Sequence, residues 1–119
     1  MAVSKSFLEY VLEQMSGSRR EIAHKRMFGG MGIYCDERFV AVMDNDRLFL
    51  KVDDSNRDDF VREGSEAFDP YGDGTKSMSY FEVPVRVLED RDELATWLER
   101  SWIAAGNKPP KRRKKPAAS

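Results

Sequence analysis

Residues 22–52 leave no room for a helix. They consist of short runs of aromatic and β-branched side chains, interrupted only by Asp36-Glu37-Arg38 and Asp44-Asn45-Asp46. Parallel strands need a crossover of a dozen or more residues, whereas tight turns join antiparallel neighbours. The stretch therefore predicts an antiparallel meander, with strands near residues 24–35, 38–43 and 47–52. Alternation places Phe39, Ala41 and Met43 on one face of the second strand. It places Leu48, Leu50 and Val52 on one face of the third.

The flanks read differently. Ser4 or Ser6 offers a cap for a first helix, where Phe7, Leu8, Val11, Leu12 and Met15 recur at helical spacing until Gly17. Asp53-Asp54-Ser55 supplies capping oxygens before a short helix with Phe60 and Val61, which Gly64 stops. Two further strands are predicted near 67–71 and 77–83, joined by Gly72-Asp73-Gly74-Thr75, with Pro70 marking an open strand side. Asp90 and Glu93 stand three apart, as in a capping box, before Leu94, Trp97, Leu98 and Trp102. Gly106 closes that helix.

The expected order is α-β-β-β-α-β-β-α, an α+β two-layer sandwich with a largely antiparallel sheet and helices on one face. Phe7, Val11, Leu12, Met43, Leu48, Leu50, Phe60, Leu94, Trp97 and Leu98 are the expected core. Tyr80 and Phe81 alternate across a strand, so one points away from what the other packs on. Domain boundaries follow: residues 1–106 fold, and residues 107–119 form a tail expected to be disordered, because nothing apolar there offsets the entropy of ordering.

Charge separates the two parts. The chain carries 20 basic and 21 acidic residues, yet Lys108, Lys111, Arg112, Arg113, Lys114 and Lys115 all follow Asn107. Without those six the balance is 14 against 21, or −7, which repels a nucleic-acid backbone. Nucleic-acid affinity is therefore assigned to the tail, with Lys111, Arg112, Arg113, Lys114 and Lys115 as the candidate DNA contacts. No stretch approaches the roughly 20 apolar residues of a membrane span, and the N-terminus lacks a secretory layout. Cys35 is the sole cysteine, so no internal disulfide forms. A cytoplasmic protein without membrane contact is expected.

Chemistry-bearing patterns are scarce. Arg26-Met27-Phe28-Gly29-Gly30-Met31-Gly32 is rich in glycine, but it matches neither the dinucleotide fingerprint nor a P-loop. We read Met27, Phe28, Gly29, Gly30 and Gly32 as a structural motif, a bulge or bend admitting close approach of another backbone. His24 and Cys35 stand eleven residues apart, which fits no zinc spacing. Calcium loops starting at Asp44 or Asp69 would need oxygen ligands where Leu48 and Tyr80 stand. Cys35, between Tyr34 and Asp36, lacks an activating neighbour, and no carboxylate pair is nominated for acid–base work. No catalytic residue, metal or cofactor is expected. Arg26, Lys51 and Tyr80 are candidate partner or ligand contacts.

Met27-Phe28-Gly29-Gly30-x-Gly32-x-Tyr34, then Leu48-x-Leu50-Lys51, then Tyr80-x-x-x-Pro84 and Trp97 together resemble the N-terminal domain of the TfoX (Sxy) competence regulators. The similarity runs from the first helix to about Ala105. It implies a two-layer fold related to secretion chaperones and no enzymatic activity. Longer members are positive regulators of competence genes, co-activators working with a cyclic-AMP receptor protein and carrying a separate C-terminal domain. For this chain the resemblance implies a stand-alone N-terminal-type domain, a regulatory adaptor that binds a protein of the transcription machinery, with weak non-specific DNA contact by the tail. The alternative is a small anionic-ligand-binding or enzymatic domain using residues 29–32 and Lys51. Self-association into a homodimer is a third expectation, through an unpaired sheet edge.

Overall fold

The structure, a computed structural model, describes residues 3–27, 30–69, 74 and 77–107, and only the backbone of 77 and 78. Helix α1 (Lys5–Gln14) starts at Ser4, whose hydroxyl accepts from the Phe7 amide at 3.1 Å. The Ser4 amide donates to Asp46 Oδ1 at 2.7 Å, fixing the helix start to a turn of the sheet. A single 3₁₀ turn (Met15–Gly17) follows. The sheet comprises β1 (Ile22–Met27), β2 (Gly30–Cys35), β3 (Arg38–Asp44), β4 (Arg47–Lys51), β5 (Ala67–Phe68) and β6 (Ser77–Glu82). Its order is β1-β2-β3-β4-β6-β5, and every neighbouring pair is antiparallel. Helices α2 (Arg57–Arg62), α3 (Val85–Leu88) and α4 (Arg91–Gly106) complete it.

The expected α+β meander with helices on one face is what the chain forms, with one more strand than its texture announces. Residues 24–35 are a hairpin of β1 and β2, in which Met27 pairs with Gly30 and Ile22 with Cys35. The β-rich texture continues on both sides of the reversal, so composition alone does not mark it. The next two turns have two residues each, with φ positive at Asp36, Glu37, Asn45 and Asp46. That conformation matches the twist of the flanking strands.

A bulge corrects one face assignment. Ile33 pairs with Ala41 but Tyr34 with Phe39, so Val40 is an extra residue on β3. Val40 turns into the core, and Phe39 lies on the face opposite Ala41 and Met43. One inserted residue reverses everything before it.

The helix ends also differ in detail. Asp53 does not cap α2: its carboxylate accepts from the Ser55 amide, and the N-cap is Asn56. Asn56 is buried, accepting from the Asp53 amide and donating to the Lys51 carbonyl, which also receives the Ser101 hydroxyl. Asp90 caps α4 through the Asp92 and Glu93 amides. The Glu93 carboxylate turns to Arg86 instead of completing a reciprocal box. Short α3 was not anticipated; its last carbonyl, at Leu88, accepts from the buried Gln14 amide at 2.9 Å.

Val11, Met43, Leu48, Leu50, Phe60, Leu94, Trp97 and Leu98 form one core with Met31, Ile33, Ala41 and Phe81. Phe7 and Leu12 pack at its margin, partly buried. All four described helices contribute to this cluster or its margin, so they lie on one side of the sheet. The open strand side expected at Pro70 lies outside the described residues.

Candidate functional site: the outer face of the sheet

Opposite the helices, β2, β3, β4 and β6 carry a row of rings. Tyr34 and Phe39 are strand partners with centroids 5.2 Å apart, and Phe39 lies 5.9 Å from Tyr80. Lys51 pairs with Tyr80 across β4 and β6, its ammonium 5.3 Å from the ring. Burial, with a smaller effect from Tyr34, pushes the Tyr80 hydroxyl up to about 12. It is therefore neutral at physiological pH, and no general base is formed. Farther along, Phe49 stacks 4.8 Å from Phe68. Arg47 binds Glu82 at 2.5 Å and Glu66 at 2.9 Å, a network covering the side of Phe49.

Of the three candidate contacts, Lys51 and Tyr80 are brought together, while Arg26 is not. Arg26 pairs with Met31, whose side chain is in the core, so it occupies the helix side of edge strand β1 and is exposed. The glycines serve packing. A Cβ built on Gly30 would overlap the Met43 carbonyl oxygen, and one on Gly32 would press on the ends of the Met27 and Phe39 side chains. Gly30 also lies by the β3–β4 turn, whereas Lys51 lies at the opposite end of the sheet, beside the end of β2. The structure does not assemble Gly30 and Lys51 into one anion site. Phe28, Gly29 and the candidate DNA contacts Lys111, Arg112, Arg113, Lys114 and Lys115 lie outside the described residues.

Cys35 is fully buried, and burial first, then the charge of Asp36, pushes its thiol up to about 12. A thiol so placed is neither nucleophile nor ligand at neutral pH. No group of three or more His, Cys, Asp or Glu side chains suited to a metal occurs among the described residues. A depression of about 330 Å3 lies between Gly17, Ser18 and Arg19 and the α4 residues Ala95, Thr96, Glu99 and Arg100. Its carboxylate is taken: Glu99 binds Arg20 through two hydrogen bonds, which hold it below the usual carboxylate range.

Sequence reasoning missed one feature, the setting of Trp102. Its ring is sandwiched between Arg20, with Cζ 3.3 Å from the centroid, and Arg38, at 3.7 Å. Its indole N–H donates to the Cys35 carbonyl at 3.0 Å, and Arg38 donates to the Trp102 carbonyl at 3.0 Å. Arg20 also reaches Asp36 at 3.0 Å. This clamp locks the end of α4 onto the β2–β3 turn, and it holds the polypeptide leaving α4 at the end of the sheet where the Tyr34, Phe39 and Tyr80 row lies. Asn107 adds a bond from its amide to Asp53 at 3.0 Å. Helical spacing placed Trp102 on an apolar face, but no local pattern announces two arginines from elsewhere in the chain.

Comparison with known proteins bears on what such a face serves. One curated relative is described as an uncharacterized 12.7 kDa protein in the trpE 5′ region of Spirochaeta aurantia. It is 35% identical over 71 residues, 60% of this chain and 59% of the relative, so the match spans about three fifths of the relative's length. The family model described as the TfoX N-terminal domain matches residues 13–105, from the end of α1 through nearly all of α4. Every described strand and the whole ring row fall within that match. The chain belongs to the TfoX N-terminal domain family.

Proposed function

We propose that this chain is a non-enzymatic regulatory adaptor that binds a protein of the transcription machinery, with its basic tail adding sequence-independent contact to nucleic acid. The family match over residues 13–105 carries this reading. The outer face supports it: the ring row of Tyr34, Phe39 and Tyr80 is the aromatic composition that protein interfaces favour, and Lys51 lies at its side. The described candidates for chemistry are otherwise occupied, Cys35 by the core and Glu99 by Arg20. Cross-linked capture from the native cell tests the adaptor role.

The tail has its own test. Six basic residues follow Asn107 without an acidic neighbour, against an acidic balance in the rest. Each phosphate neutralised by lysine or arginine releases counterions, so affinity should fall steeply with salt. In a retardation assay on duplex DNA at low salt, the full chain is expected to bind. A chain ending at Asn107 is expected to lose at least tenfold in affinity. Equal binding by both would remove the tail from the function.

A further inference from the structure

Among the described residues, three cations without an ion pair, Arg19, Lys25 and Arg26, gather at one sheet edge, while Lys5 on α1 and Lys51 on the outer face stand apart from them. Arg20, Arg47, Arg57, Arg62, Arg86, Arg91 and Arg100 all hold carboxylates, and Arg38 holds the Trp102 carbonyl. Lys25 and Arg26 hold none, and both are exposed on β1, next to exposed His24. Arg19, just before this strand, also makes no ion pair. In a chain whose folded part carries an acidic excess, this is a local reversal of sign.

Strand β1 is also an open edge. It pairs with β2 alone, at one end of the order β1-β2-β3-β4-β6-β5. The Asp36 amide donates to the Glu21 carbonyl, and the Asp36 carboxylate accepts from the Glu21 amide. Glu21 therefore faces β2 with both backbone groups. Backbone direction alternates along a strand, so Ala23, Lys25 and Met27 face β2 as well, and Ile22, His24 and Arg26 turn their N–H and C=O groups outward. The described part of the opposite edge, β5, has only two residues, which is one way sheets blunt an edge.

We propose that β1 receives an extended acidic segment of a partner protein as an added strand. This inference rests on the adaptor reading and names how the contact is made. Main-chain bonds from Ile22, His24 and Arg26 supply the pairing, and side-chain charge selects the partner. A second copy of this chain is a poor occupant. Antiparallel pairing of β1 with itself sets His24, Lys25 and Arg26 against the same cationic run, and like charges placed opposite one another destabilise a pair. The charges that exclude self-pairing admit an acidic strand.

Amide exchange measured by NMR on the full chain tests this. The probe is a capped eight-residue peptide of glutamate and valine in equal number; its control replaces glutamate by lysine. With millimolar acidic peptide, exchange at Ile22, His24 and Arg26 is expected to slow at least tenfold, while Ala23, Lys25 and Met27, already protected by β2, stay unchanged. The lysine peptide should have no effect. In a Lys25→Glu, Arg26→Glu variant, both positions being exposed, the preference should invert. Absence of slowing, or equal slowing by both peptides, overturns the proposal. So does slowing by oligothymidylate alone, which makes the edge a nucleic-acid surface, or slowing with protein concentration alone, which makes it a self-association surface. Partner capture that survives in the double variant retires the edge and leaves the adaptor reading standing; capture by neither protein counts against the adaptor reading, whatever the peptides do.

Discussion

Replacing Leu50 by alanine is expected to lower the unfolding free energy by about 2–5 kcal/mol, the range for truncating a buried aliphatic side chain. Leu50 has no exposed surface, lies between strand partners Ala41 and Phe81, and belongs to the cluster that α4 covers with Leu94, Trp97 and Leu98. A strand held in a hydrogen-bonded ladder on both sides cannot collapse into the space left behind. The cost should therefore exceed the transfer free energy of the lost methyl groups alone. Urea titration reads it as a lower midpoint at unchanged slope. Ile103→Ala is the control: Ile103 is 47% exposed, and its loss should stay near half a kcal/mol. Equal costs at the two positions would contradict the core described here.

Gly30→Ala should cost about 1–3 kcal/mol by a different route, overpacking. The obstacle is the Met43 carbonyl oxygen, a backbone atom fixed by the β3 ladder. Relief therefore requires β2 and β3 to move apart. Gly32→Ala should cost less, because a Cβ there meets the flexible end of Met27 as well as the Phe39 ring edge. Thermal unfolding of the two variants side by side checks the ranking. Gly30→Ala at parental stability would show that the close approach is not needed.

Much of this architecture is visible in residues 36–52, where two short polar turns separate runs whose alternation puts Leu48 and Leu50 inside. Period-2 counting fails at Val40, because alternation has no means of registering an inserted residue; Phe39 changes faces for that reason. The hairpin of β1 and β2 is not marked in the sequence, because the glycines between them read equally as a bend in one long strand. Tyr80 and Lys51 could be nominated by position, yet their pairing depends on β6 inserting next to β4, which local sequence does not encode. The same holds for Trp102. Arg20 and Arg38 converge on it from distant parts of the sequence, Arg20 also pairing with Asp36, and each alone reads as an ordinary surface charge. Arg26 is a candidate contact with Lys51 and Tyr80 in the sequence, but its register opposite Met31 puts it on the other face.

The adaptor account is tested most directly by quantitative cross-linked capture from the native cell, comparing the parent chain with a Lys51→Glu, Tyr80→Ser variant of verified fold. Both positions are half-buried on the outer face, and neither belongs to the helix-side core. The account predicts that the parent recovers a subunit of RNA polymerase or a promoter-bound regulator at fixed stoichiometry, and that the variant recovers it at least tenfold less. Recovery of no such protein by the parent, with a small anionic compound bound instead, would contradict it.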